Sequence, residues 1–162
     1  MRELRHEIEI DAPPAEVWGV LSDTGHYDWN PFIRAIDGTL AVGEKLRVRI
    51  APPGGKGMTF RPTVLQVDEA TGLRWIGHLL VTGLFDGEHS FELHELPRRR
   101  TRFVQRELFS GVLVSLSRSA LDKTELGFAA MNEALKTRVE ERHVAQPKPR
   151  PHARRRERQA HS

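Results

Sequence analysis

The feature that most restricts the fold is a long amphipathic stretch near the end of the chain, residues 118–142. Its charged side chains, such as Lys123 and Glu133, fall largely on one side, as expected for a solvated helix face. A helix of this length needs an apolar surface on which to lie, and the preceding chain must supply it. The opposite side carries a mostly apolar stripe with the three- and four-residue spacing of one helix face: Leu121, Thr124, Phe128, Met131, Leu135 and Val139.

The preceding chain is typical of short strands in which apolar and polar residues alternate. Residues 4–10 and 45–50 alternate most clearly, with Leu46, Val48 and Ile50 on one side of the second segment. Two short helices are predicted after the first strand. Residues 84–96 and 100–109 predict a long hairpin that turns at 97–99, and further strands are predicted at 32–40, 59–68 and 73–79.

This order of elements predicts an α+β fold in which a curved, seven-stranded antiparallel sheet wraps round the long C-terminal helix. A cavity is expected wherever the sheet and the helix do not meet. The apolar stripe of the helix therefore has two interpretations. It is either plain core, or part of it, at Phe128 and Met131, roofs a ligand cavity, since methionine adapts its shape to irregular contents.

Charge is distributed unevenly along the chain, whose formal net charge is +3. Residues 147–162 carry six Lys and Arg side chains against Glu157, and subtracting this +5 leaves −2 for residues 1–146. We therefore predict a mildly acidic domain at 1–146, for which charge gives no support to a nucleic-acid role. Residues 147–162 are predicted to be a basic disordered tail, with too little apolar surface to offset the entropy cost of folding.

Composition excludes several classes of chemistry. The chain has no cysteine, which rules out disulfides, thiolate catalysis and cysteine-based metal sites. No apolar run approaches the ~20 residues of a membrane span, and the N-terminus has no apolar signal region, so a cytoplasmic protein is expected. His26, His78 and His94 lack a ligand spacing, and we expect neither a metal nor another cofactor.

Four segments of the chain form a recognisable set: residues 10–18 (IDAPPAEVW), 27–32 (YDWNPF), 87–93 (GEHSFEL) and 105–111 (QRELFSG). Together they resemble the START-like, helix-grip superfamily (SRPBCC), which includes polyketide cyclase/dehydrase-like and Bet v 1-like proteins. The resemblance covers roughly residues 3–142. It implies a hydrophobic cavity between sheet and long helix that binds lipids, polyketides or other apolar molecules. Some members of the superfamily cyclise or dehydrate polyketides, but a fold does not determine a reaction.

Two polar side chains of the predicted hairpin share its inward face. A turn centred on residue 98 predicts that His89 lies opposite Glu107, and Phe91 opposite Gln105, with β-carbons about 5 Å apart. The alternative register, slipped by two residues, keeps the same faces but breaks this pairing. A carboxylate next to an imidazole is suited to general acid–base catalysis. The same pair is equally compatible with a buried polar contact that stabilises the fold or orients a ligand.

Three functional hypotheses follow from these patterns. The first is a protein that binds a hydrophobic small molecule, and the second is a polyketide cyclase or dehydratase that uses His89 and Glu107. The third is an interaction protein whose basic tail contacts nucleic acid or an anionic membrane weakly. For the first two, we predict that the cavity is lined by aromatic and aliphatic side chains and one amide: Trp29, Phe32, Trp75, Phe91, Phe103, Gln105, Leu121, Phe128, Met131 and Leu135.

Overall fold

Eight strands and two α-helices form the part of the chain that the computed structural model describes, which is residues 1–78, 82–116 and 118–145. The predicted tail at 147–162 lies outside the described residues. Along the chain the elements are β1 (Arg2–Ile10), α1 (Pro14–Leu21), β2 (Ile33–Asp37), β3 (Arg47–Ile50), β4 (Met58–Phe60), β5 (Thr63–Asp68), β6 (Gly72–His78), β7 (Asp86–Leu96), β8 (Arg100–Ser110), a short 3₁₀ turn (Val114–Leu116) and α2 (Arg118–Ala145).

The strands form a curved antiparallel sheet that holds the long helix, an α+β architecture of the helix-grip kind. Five strands lie in the order β1-β8-β7-β6-β5, and three more lie in the order β2-β3-β4. In the β7–β8 hairpin His89 lies opposite Glu107, and Phe91 opposite Gln105, so the predicted register is confirmed. The hairpin turns through Arg98 and Arg99, which both have left-handed backbone conformations.

The prediction of a single seven-stranded sheet is wrong, because residues 59–68 form two strands rather than one. Pro62 has no backbone N–H to donate to a ladder, and the chain leaves β4 just before it and enters β5 just after it. The five-stranded and three-stranded sheets stay connected at this point. The backbone N–H of Leu46 donates to the carbonyl of Pro62 over 2.9 Å, and Gly43 donates to Val64 over 2.9 Å.

The prediction of two short helices after β1 is also wrong, since only α1 is present there. Residues 22–32 form a series of turns instead. The side chain of Asn30 accepts hydrogen bonds from the backbone N–H groups of Phe32 and Ile33, both over 2.9 Å. Such local bonds compete with helix formation, and Pro31 removes a further donor. The buried hydroxyl of Tyr27 secures this corner by donating to the carbonyl of Leu21 over 2.6 Å.

Helix α2 has 28 residues, and it is therefore about 42 Å long. It packs mainly against β1 and also contacts α1 and β8. In the described residues no helix combines the length and the hydrophobicity needed to cross a membrane. The buried face of α2 contains the predicted stripe apart from Thr124, and it adds two residues that the stripe did not include: Leu121, Gly127, Phe128, Met131, Asn132, Leu135 and Val139.

Helix α2 approaches the remainder of the core closely at Gly127. A β-carbon at this position would overlap the ring of Phe32, which is itself only 3% exposed. The rings of Phe32 and Phe128 meet edge to face with centroids 5.7 Å apart. Glycine at 127 therefore sets the distance between α2 and the loop that precedes β2.

Alanine in place of Gly127 should destabilise the protein, although alanine normally favours a helix. The added methyl group must displace the buried ring of Phe32, and overpacking of this kind costs about 1–3 kcal/mol. Gly19→Ala in α1 is the matched control, because an added β-carbon there meets no atom within 4 Å. Chemical denaturation should show a loss of stability for Gly127→Ala, and no loss, or a small gain, for Gly19→Ala. Equal stabilities would show that α2 does not depend on this contact.

Candidate ligand cavity

Two glycines lie opposite each other on the inner surface of the sheet, Gly77 on β6 and Gly87 on β7. A β-carbon at Gly87 would lie 2.5 Å from Oε1 of Glu107, and one at Gly77 would lie 3.1 Å from the ring of Phe60. Glycine inside a strand often marks a place where another group approaches closely. Here the Glu107 carboxylate and the Phe60 ring lie where side chains at 87 and 77 would be, and the space beyond them remains open.

This space is part of a cavity of about 230 Å³ between the sheet and the first turns of α2. Met58 and His78, both partly exposed, lie at its edge. Few polar side chains interrupt the wall. From the three-stranded sheet and the preceding loop come Phe32, Ile33, Val48, Ile50, Met58 and Phe60; from the larger sheet and its connections Trp75, Gly77, His78, Phe85, Gly87, His89, Glu107, Phe109 and Leu113; and from α2 Ala120, Leu121 and Thr124.

His89 is held in place by aromatic rings on several sides. Its imidazole stacks on Trp75 with an interplanar angle of 15° and a centroid distance of 5.2 Å. The rings of Phe91 and Phe128 meet it edge to face at 4.6 Å and 5.2 Å. The histidine is only 4% exposed, and its orientation is fixed by packing as well as by hydrogen bonds.

Both ring nitrogens of His89 have hydrogen-bond partners. Nε2 lies 3.3 Å from the amide nitrogen of Gln105, a donor, so Nε2 is the acceptor of this pair. Nδ1 therefore carries the hydrogen, and it donates to Oε2 of Glu107 over 3.3 Å. The Gln105 amide nitrogen also lies 3.5 Å from Sδ of Met131, which ties the pair to α2.

The burial of Gln105 beside His89 has a free-energy cost. Its side chain is completely buried, and its carbonyl oxygen has no hydrogen-bond donor among the described residues. A buried acceptor without a partner costs about 1–3 kcal/mol. An apolar residue would avoid that cost, so the amide is better explained by its contact with His89 than by its contribution to stability.

Glu107 is the member of this group that faces the cavity most openly. Its side chain is 17% exposed, against 5% for His89. Oε2 is bound to His89, whereas Oε1 has no hydrogen-bond donor among the residues that the structure describes. The geometry therefore separates two roles: His89 orients the carboxylate, and Glu107 presents a free oxygen to the contents of the cavity.

A second histidine–carboxylate pair lies at the rim. Nδ1 of His78 is 2.7 Å from Oδ1 of Asp86, and the backbone N–H of Gly83 donates to Oδ2 of the same carboxylate over 2.8 Å. The hydrogen bond from His78 is the main cause that lowers the pKa of Asp86 below its ordinary value. This pair joins the ends of β6 and β7 beside the entrance to the cavity.

The residues predicted to bind a ligand fall into three groups. Phe32, Trp75 and Leu121 line the cavity together with His89 and Glu107. Trp29 is only partly buried, lies 5.3 Å from Tyr27 between ring centroids, and is not part of the cavity wall. The remaining predicted residues form the closely packed core beside the cavity, each no more than 1% exposed: Phe91, Phe103, Gln105, Phe128, Met131 and Leu135.

Several residues of the cavity wall were not among those predicted from the sequence to bind a ligand. Gly77 and Gly87 could have been identified from the sequence, because a glycine within a predicted strand suggests that another group approaches the backbone closely there. Phe60 was harder to assign, since the break at Pro62 resets the alternation of residues 59–68. Thr124 was part of the predicted helix stripe, but nothing in the pattern distinguished it from core. Among the described residues no group of three or more His, Asp and Glu side chains could hold a metal ion.

Replacing Gly87 by alanine places a methyl group 2.5 Å from Oε1 of Glu107, which is closer than unbonded atoms come in proteins. We expect the flexible carboxylate to rotate away from His89 while the fold is retained. The Nδ1 proton of His89 should then exchange faster with solvent, as measured by ¹⁵N NMR. Gly25→Ala, where an added β-carbon meets no atom within 4 Å, is the control. Unchanged exchange in Gly87→Ala would contradict the proposed position of the carboxylate.

Comparison with known proteins places this chain in a family. The model of the family described as polyketide cyclase / dehydrase and lipid transport matches residues 1–140. A search of curated proteins found no match to this chain. Among solved structures, the Zhui aromatase/cyclase from Streptomyces sp. R1128 is similar, with a TM-score of 0.68 and 19% identity over 88% of this chain and 95% of that one.

Two further structures show the same fold. Protein MLL2253 from Mesorhizobium loti has a TM-score of 0.66 and 22% identity, over 87% of this chain and 98% of its own. Ara h 8.0201 has a TM-score of 0.60 and 16% identity, over 86% of this chain and 98% of its own. Sequence identities this low show only that the folds are similar. The family model, in contrast, matches most of the sequence. The chain belongs to the polyketide cyclase/dehydrase and lipid transport family.

Proposed function

We propose that the protein binds a small hydrophobic molecule in the cavity between the sheet and α2. The observation that carries this proposal is an apolar, partly enclosed cavity into which a single oriented carboxylate, that of Glu107, projects. Ligand sites in proteins are typically concave and apolar, with few polar groups that fix the orientation of the ligand. The description of the family, which includes lipid transport, supports the same class of function.

The volume of the cavity limits the size of the ligand. An engineered apolar cavity of about 150 Å³ holds benzene. The cavity here, about 230 Å³, is roughly one and a half times as large and matches two fused six-membered rings. It is smaller than the ~300–1,000 Å³ of most ligand sites, so a long acyl or poly-keto chain would extend beyond the rim at Met58 and His78.

The driving force for binding is the removal of apolar surface from water. Trp75, Phe60 and Phe109 present aromatic surface to the cavity, and Leu121 covers it from the helix. Each square ångström of apolar surface buried contributes about 25 cal/mol, and a two-ring hydrocarbon that is largely enclosed gains several kcal/mol before the entropic cost of association. Affinities in the micromolar to millimolar range are therefore expected for a ligand of this size.

Phenylalanine in place of Thr124 tests where the ligand binds. Thr124 lines the cavity from α2, so a ring at this position fills the space that a ligand needs. The affinity for naphthalene, from a ligand-observed NMR titration, should fall roughly tenfold or more, a loss of about 1.4 kcal/mol at least. Glu125→Phe, at an exposed position on the same helix, is the control and should bind as the unmodified protein does. The proposal would be overturned if both variants bound naphthalene with equal affinity, or if the unmodified protein did not bind it.

A cyclase- or dehydratase-type reaction is the second candidate function, and the contact of His89 with Glu107 favours it. In such a reaction the Glu107 carboxylate accepts a proton from a carbon next to a carbonyl group. The electron pair of the broken C–H bond remains on the substrate as an enolate, whose carbon then attacks a second carbonyl carbon. A carbon–carbon bond forms, the π bond of that carbonyl group breaks, and its oxygen takes the proton from the Glu107 carboxyl group to become a hydroxyl group. The similarity in fold to an aromatase/cyclase agrees with this candidate without identifying a substrate.

Deuterium incorporation next to the carbonyl group of 2-tetralone tests this second candidate, because the molecule has two fused rings and exchangeable carbon-bound hydrogens. If Glu107 acts as a base, the protein should accelerate exchange in D₂O, and Glu107→Gln should reduce this acceleration by at least ~100-fold. Glu88→Gln removes a carboxylate that binds Arg74 instead of facing the cavity, and it should leave the exchange rate unchanged. Exchange at the rate of the buffer alone would rule out this reaction for the site.

A further inference from the structure

We infer that the ligand carries a hydrogen-bond donor, such as the hydroxyl group of a phenol or an enol, that binds Oε1 of Glu107, and that the site rejects carboxylates. This inference rests on the proposed function, because it specifies the chemistry of the molecule that the cavity would hold. It is drawn from the hydrogen-bonding capacity that remains in the wall once all contacts within the protein have been counted.

Most polar side chains of the wall already use their donors within the protein. The Thr124 hydroxyl donates to the carbonyl of Ala120 over 2.9 Å, and Nδ1 of His78 is bound to Asp86 at the rim. Both ring nitrogens of His89 are bound, one to Gln105 and one to Glu107. Two groups are left over: Oε1 of Glu107, an acceptor without a donor among the described residues, and the indole N–H of Trp75, a donor without an acceptor among them.

This oxygen is accessible to a ligand, because Glu107 lines the cavity and its side chain is 17% exposed. It lies 2.5 Å from the place that a β-carbon of Gly87 would occupy, and Gly87 is part of the cavity wall. The oxygen therefore occupies the space that the glycine leaves open, beside the stacked rings of Trp75 and His89. A planar ring bound against this surface brings a hydroxyl group on its edge within hydrogen-bond distance of the carboxylate.

Charge decides which functional groups the site accepts. None of the described residues that line the cavity is lysine or arginine, and its two histidines are already bound to carboxylates, so the wall offers no unpaired cationic partner to an anionic ligand. A ligand carboxylate would lie next to the Glu107 carboxylate in a medium of low dielectric constant, where repulsion between like charges is strong. A hydrocarbon without a donor would remove water from the same carboxylate and replace none of its hydrogen bonds. A hydroxyl donor avoids both penalties.

Three probes with the same two-ring skeleton test the inference at pH 7: 2-naphthol, naphthalene and 2-naphthoate. Binding to the full-length protein is measured by a ligand-observed NMR titration. We expect 2-naphthol to bind about tenfold or more tightly than naphthalene, as a hydrogen bond to a charged acceptor should provide. We expect 2-naphthoate to bind more weakly than naphthalene or not at all.

Two variants assign the preference to Glu107. Glu107→Gln keeps the shape of the side chain and removes its charge, so the ratio of the 2-naphthol affinity to the 2-naphthoate affinity should fall at least roughly tenfold. Glu88→Gln, which removes the carboxylate that binds Arg74 outside the cavity, is the matched control and should keep the ratio of the unmodified protein. If Glu107→Gln does not fold, the three-probe comparison on the unmodified protein decides alone.

The outcomes separate this inference from the function on which it rests. If naphthalene or 2-naphthoate binds as tightly as 2-naphthol, the inference is overturned while binding of small apolar molecules stands. If none of the three probes binds, the proposed function fails and the inference fails with it. If the preference for 2-naphthol persists unchanged in Glu107→Gln, the donor binds elsewhere and the role assigned to Glu107 is wrong.

Discussion

The contact between Gly127 of α2 and the ring of Phe32 sets the distance between the long helix and the loop that precedes β2. Gly127 packs without space for a further side chain, and the buried face of the helix continues from there to Val139. Between Ala120 and Thr124 the helix instead covers a part of the sheet that carries glycine on two adjacent strands. The close packing at Gly127 and the open space beside Ala120 and Thr124 are thus both consequences of the position of the helix.

The carboxylate that projects into this space would be unfavourable if it were left alone in apolar surroundings. His89 supplies a donor to Glu107, and Gln105 supplies one to His89, so that a chain of hydrogen bonds extends from the cavity into the core. The stack of His89 on Trp75 limits the movement of this chain. A pre-oriented carboxylate with one free oxygen suits both the recognition of a donor group and the removal of a proton, because the two functions require the same acceptor in the same position.

Much of the fold follows from local patterns in the sequence. The alternation in residues 84–96 and 100–109, together with the turn between them, is sufficient to pair His89 with Glu107 in the correct register. The three- and four-residue spacing near the end of the chain predicts α2. Pro62 lies within the predicted strand 59–68, but the effect of a proline there depends on which strands lie next to one another in space. The prediction of a second short helix was wrong because Asn30 binds two backbone N–H groups that a helix would otherwise use.

The cavity was harder to predict than the fold for a physical reason. Periodicity identifies side chains that point inward, and Phe128, Met131 and Leu135 do so. It does not reveal whether an inward side chain meets another one or an empty space, since this depends on the separation of elements that are distant in sequence. Gly87 and Thr124 line the cavity because of what lies opposite them.

The most direct test of this account is a crystal structure of the protein with 2-naphthol bound. The account predicts that the two rings lie between the sheet and the first turns of α2, next to Trp75 and Leu121. The hydroxyl oxygen should lie within about 2.5–3.0 Å of Oε1 of Glu107, while Nδ1 of His89 stays bound to Oε2. A ligand bound outside this cavity, or bound inside it with its hydroxyl group away from Glu107, would contradict the account.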